Sequence, residues 1–163
     1  MPVQPVEMEG LIDYLITLLK NRFSNQVSDF FFGDIGVYLP ASFGGSRKDQ
    51  KAVIAVQPAF NYLIPNERVA AQESRNLGVT VIVMVNITPF FEAKPQEAFG
   101  ERILVRLTTD IATFLTQEEN VTLGGRVQWS QVGDIDWAWV ARGDQAIRAA
   151  GISFNARVRV PRI

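Results

Sequence analysis

From residue 78 to residue 87 the chain reads G-V-T-V-I-V-M-V-N-I. Val79, Val81, Val83, Val85 and Ile87 fall on one face of an extended strand, and Thr80, Ile82, Met84 and Asn86 on the other. One face is wholly β-branched, and the other still carries two large apolar residues. That pattern predicts a strand in the middle of a sheet, covered heavily on one face and partly on the other.

The remaining pattern arranges itself around this strand. Leu11, Ile12, Leu15, Ile16, Leu18, Leu19 and Phe23 recur at helical spacing and predict a helix over residues 8–23. Glu7 and Glu9 stand at its start and Lys20 and Arg22 in its last turn, where each sign suits the dipole. Asp13 and Thr17 mark its wet side. Residues 27–40, with Phe30-Phe31-Phe32 before Gly33, predict short strands around a turn. Three successive phenylalanines cannot share one face. The favoured reading puts two in the core and one under the first helix; the alternative turns one toward a partner. Residues 52–63 alternate as a strand, with Pro58 expected at an edge or a bulge. Residues 64–76 are polar and predict a long projecting connection. After a loop at 88–95 the period becomes helical from Gln96, with a stripe of Phe99, Ile103, Leu107, Ile111, Phe114 and Leu115. Glu118-Glu119-Asn120 ends that helix. Residues 121–163 predict an all-β tail: a strand over 126–132, a turn at 133–136, a short apolar segment at 137–140, and a last long strand over 146–160.

Strands and helices in this order predict one α+β or α/β domain spanning residues 1–163. The expected sheet is mixed, mostly antiparallel, flanked by an N-terminal helix and one long helix. A chain of 163 residues with 47% hydrophobic and 20% charged content is long enough to bury its own core. Its net charge of -1 argues against a dedicated nucleic-acid binder, which relies on phosphate contacts. The sequence contains no cysteine and no histidine. Disulfides, thiolate catalysis, Cys-type zinc sites and a Ser-His-Asp arrangement are thereby excluded. No apolar run is long enough to span a bilayer, and residues 1–5 lack a basic lead before an apolar segment. The expectation is a soluble intracellular protein.

Few residues invite chemistry. The glycine-led loop at 43–51, with Arg47 and Lys48, lacks phosphate-loop spacing and reads as a surface loop. Asp134 and Asp136 could offer oxygens to a hard cation, but the other ligands of a calcium loop are absent, and turn residues are the better reading. Arg157, Arg159 and Arg162 put three cations at the end of the last strand, where they could line a channel, meet acidic neighbours or protect an edge. Trp129, Trp137 and Trp139 read as core and interface residues. No catalytic residue, cofactor or metal ligand is assigned, and the inventory points away from an enzyme.

The order of elements and some local wording resemble bacteriophage tail terminator proteins, also called tail completion proteins. The resemblance is carried by the helix beginning Gly10-Leu11-Ile12-Asp13-Tyr14-Leu15, the phenylalanine-rich strand Phe30-Phe31-Phe32-Gly33, and the strand Ala52-Val53-Ile54-Ala55-Val56. It continues through the polar arm, the strand over 77–87, a single long helix, and the alternating segment Ile152-Ser153-Phe154-Asn155-Ala156-Arg157-Val158-Arg159-Val160 close to the C-terminus. The segment at 137–140 and the loop at 43–51 are not matched. The resemblance implies a structural virion protein, assembled in the host cytoplasm, of which six copies close into a ring on the tail tube. That ring stops tube polymerisation and meets the neck and connector proteins, and in contractile tails the end of the sheath. Genomic DNA passes through its lumen without being read, and no membrane is involved. A closed ring needs two different matching faces on each subunit. The candidates are Phe43, Arg47 and Lys48 on one loop, Arg68 and Arg75 on the polar arm, and Arg157 and Arg159 on the last strand. Alternatives are another neck component, such as a head-completion or stopper protein, and a carboxylate-metal enzyme using Asp134 and Asp136.

Overall fold

A computed structural model describes residues 8–33, 52–59, 67–69, 72–86, 99–142 and 145–161. The chain runs α1 (Met8–Phe23), β1 (Val27–Phe32), β2 (Ala52–Pro58), β3 (Glu67–Val69), β4 (Gln72–Asn86), α2 (Phe99–Thr116), a 3-10 turn (Glu118–Asn120), β5 (Trp129–Arg142) and β6 (Gln145–Pro161). Five strands lie side by side in the order β1-β2-β4-β6-β5, and short β3 pairs with β4 off that path. Only β1 with β2 is parallel; every other pairing is antiparallel. This is an α+β fold with a mixed, mostly antiparallel sheet, as the pattern predicts.

β4 is the middle strand. Val79, Val81, Val83 and Val85 are fully buried on one face, together with Ile54, Val56, Ile152, Phe154, Ala156 and Val158 of the neighbouring strands. Both helices pack on this face. Leu11, Ile12, Leu15, Leu19 and Phe23 come from α1, and Leu104, Leu107, Ile111 and Leu115 from α2. α1 lies over β1 and β2, and α2 over β4, β6 and β5. Phe23 and Phe114 meet edge to face, with ring centroids 5.6 Å apart, and tie the two helices together. Each aliphatic side chain removed from water here contributes about 1.5–3 kcal/mol, so the long rows on β4 and β6 dominate stability. On the opposite face a smaller set is buried: Val53, Ala55, Met84, Ile147 and Ala149. Ile82 and Phe31 pack against it.

Several expectations are corrected. The strand expected over 52–63 ends at Pro58 within the described residues. Pro58 is not on an edge strand: β2 lies inside the sheet. β1 stops pairing at Val56, so the missing N–H of Pro58 costs no ladder bond to β1. The phenylalanines divide three ways. Phe30 packs on the helix face, Phe31 on the other face, and Phe32 is exposed rather than covered by α1. The polar connection at 64–76 is structured at its far end, where residues 72–76 already belong to β4 and residues 67–69 form β3.

The largest correction concerns residues 126–142. Gly133 and Asp134 do not turn the chain. They form a bulge inside one fourteen-residue strand, since Val132 pairs with Phe154 and Ile135 with Ile152, leaving two residues opposite Ser153. A Cβ on Gly133 would stand 3.3 Å from the Ser153 Cβ, so glycine permits this close approach. The extra residue shifts the alternation by one. Val132 and Ile135 both face the core, and Trp137 and Trp139 follow on the same helix-bearing face. These two tryptophans are not core residues; both are exposed. The loop residues 43–51, the turn at 34–40, Phe60, Tyr62, the loop at 88–95, Gln96 and Arg162 lie outside the described residues.

Candidate subunit interface

The polar arm becomes a β-ribbon through backbone pairing rather than side-chain pattern. β4 pairs with β6 along its whole length, from Gln72 opposite Pro161 to Asn86 opposite Ile147. β2 reaches back only to Val79, and β5 only to Trp129 opposite Arg157. Past those points, among the described residues, β3, β4 and β6 continue alone. Residues 72–75 of β4 run about 13 Å beyond the body of the sheet at strand rise. The base of this ribbon is anchored by buried Leu77, Ala156 and Val158.

The register distributes the candidate arginines. Arg68 pairs with Glu73, and Arg75 with Val158. Arg159 pairs with Ser74, and Arg157 with Asn76. Positions 68 and 75 therefore share one ribbon face with positions 73, 158 and 160, and positions 157 and 159 share the other with 74 and 76. The ribbon brings all four together in one element and splits them two and two across it. Phe43, Arg47 and Lys48 lie outside the described residues.

The far end of β5 carries residues that pattern reading places inside. Arg148 of β6 sits beneath Trp139, its guanidinium carbon 4.4 Å from the ring centroid. Its Nε lies 3.2 Å from Glu101 Oε1 of α2, and its Nη1–H donates to the Ala138 carbonyl at 3.4 Å. The Nε approach is an ion pair without hydrogen-bond alignment, because the same nitrogen has no hydrogen-bond partner. Arg148 thus ties the start of α2 to the edge strand. Glu101 is well exposed, so this tie acts more by stacking and position than by charge energy. The signal in the sequence is Trp137 and Trp139 at alternate positions; it misleads because Gly133-Asp134 before them has the composition of a turn.

Asp134 and Asp136 are both exposed, and among the described residues no group of three or more acidic side chains gathers to hold a metal ion. A shallow groove of about 220 Å³ lies between the ends of α1 and α2, lined by Arg22, Gln26, Asp110 and Thr113 among others. Among the described residues no helix is long and apolar enough to cross a membrane. No protein-family model matches the chain, and no curated protein matches it.

Proposed function

We propose that the chain is a structural virion protein that caps a bacteriophage tail tube as a ring of six copies. It ends tube growth and offers its other surface to the neck. The observation that carries this reading is the three-stranded ribbon of β3, β4 and β6, which among the described residues leaves the body of the sheet and whose register puts positions 68 and 75 on one face and positions 157 and 159 on the other. A projecting element with charge on both faces suits contact with a neighbouring subunit on one side and with tube or DNA backbone on the other. The element order supports the same reading: helix, phenylalanine-bearing strand, inner strand, arm, central strand, long helix, a bulged edge strand that the resemblance matches only in part, and the alternating last strand.

The test is assembly of the phage's own tail tube protein with and without this chain, with tube length measured by electron microscopy. The expected result is a capped length in its presence. Alanine at Arg68, Arg75, Arg157 and Arg159 together is expected to abolish capping while the chain still melts cooperatively as a folded protein. Tubes that grow without limit in the presence of the intact chain contradict the reading. Capping that survives all four replacements removes the ribbon from it.

A further inference from the structure

Among the described residues four large apolar side chains are conspicuously exposed: Phe32 at 43%, Val105 at 48%, Trp137 at 44% and Trp139 at 58%. They are not scattered. The register places Phe32 opposite Val56, and Trp137 and Trp139 opposite Ala150 and Arg148, so all three lie on the helix-bearing face. Val105 stands one helical turn from Glu101, which reaches Arg148 beneath Trp139. Phe32 is at one end of the strand order and the other three are at the opposite end.

The same two strands, β1 and β5, are those that pair on one side only among the described residues. An unpaired edge is a template for another strand. On β5 the bulge and the exposed Asp134 and Asp136 guard the first half of that edge. Beyond them residues 137–142 form a regular six-residue stretch, and β1 is also six residues long. Both helices beside these edges carry exposed charge. α1, over β1, exposes Glu9 and Asp13 one turn apart near its start and Lys20 and Arg22 near its end. α2, over β5, exposes Arg102 beside Val105, with Arg106 and Asp110 further along.

We propose that the β5 edge is occupied by the β1 edge of a second copy of this chain, so that the sheet continues from subunit to subunit with every helix on the same side. This arrangement covers Trp137 and Trp139 with the next copy's Phe32 and sets the acidic flank of its α1 against Arg102. A two-fold contact between like edges would instead leave Phe32 uncovered and oppose Arg102 to itself. The contact is therefore head to tail. As the joint of a ring it rests on the reading above; as a contact between copies it is tested separately.

The experiment uses the full chain and two variants, Trp137→Ser/Trp139→Ser and Phe32→Ser, with mass measured by sedimentation. Intact chain is expected above dimer mass, and each variant alone at monomer mass with a melt like that of the intact chain. Mixed, the two variants are expected to form a one-to-one dimer, because each retains the edge the other lacks. Should a serine variant melt early, Asp13→Lys and Arg102→Glu give the same readout from exposed helical positions: each alone weakens association, and mixing restores it. A monomeric intact chain, variants that keep the intact mass, or a mixture that stays monomeric overturns the proposal. Tube capping separates the two ideas. Edge variants that cap like the intact chain sink the joint and spare the function; head-to-tail oligomers that never cap do the reverse.

Discussion

Thr108 is the clearest single-residue anomaly. It lies on the core-facing side of α2, fully buried, and its Oγ1 has no hydrogen-bond partner. Thr109 and Thr17, both exposed, bond back to the carbonyl four residues earlier, at 2.8 Å and 3.0 Å. Thr108 does not, so its hydroxyl is desolvated with nothing in return. Replacing both roles by a methyl of the same shape should help. Thr108→Val is expected to stabilise the fold by about 1 kcal/mol, read as a raised urea midpoint with an unchanged slope. A lowered midpoint would mean the hydroxyl is satisfied after all. Asn120 shows the contrasting case. It too is nearly buried, but its amide donates to the Phe114 carbonyl at 2.8 Å and closes the end of α2.

At the scale of elements, β5 depends on a single extra residue. Val132 and Ile135 pack on the core together because Gly133 and Asp134 occupy the place of one residue. Gly133→Ala should cost about 1 kcal/mol, since the added Cβ meets Ser153 at 3.3 Å and one neighbour must give way. Deleting Asp134 should cost less. It removes the extra residue, so Gly133 alone faces Ser153, plain alternation is restored, and Val132 and Ile135 both stay on the core face. A deletion that unfolds the chain at lower urea than Gly133→Ala would contradict the bulge. This also explains what the sequence made legible. Valines at alternate positions of β4 and a helical stripe on α1 report burial directly, and both elements stand where the pattern puts them. On α2 the buried row runs through Leu104 and Thr108 rather than along Ile103 and Phe114, which are only partly covered. Polar Thr108 hid that rotation. Gly-Asp is written the same way in a bulge as in a turn, so the pattern splits β5 into two pieces. Residues 72–76 have no apolar alternation because their ribbon is held by the β6 backbone, and pairing of that kind leaves no mark on side-chain type.

At the scale of the molecule, the fold puts its cover on one side. Both helices lie on one face of the sheet, the two outer strands each keep an unpaired edge among the described residues, and a charged ribbon leaves one end. In the proposed reading those features are the surfaces for assembly, and of the candidate interface only the shared face of positions 157 and 159 follows from alternation in the sequence; the placement of positions 68 and 75 opposite them needs the register. The exposed aromatic pair on β5 became visible once the bulge was placed. The proposed function requires copies of this chain to close on one another into a ring. The direct measurement is solution mass by light scattering across protein concentration and magnesium, alone and with tube protein. The account predicts a species near six times the 18.2 kDa subunit, reached at high concentration or on adding tube protein. A mass that stays at one subunit under every condition, tube protein included, would contradict it.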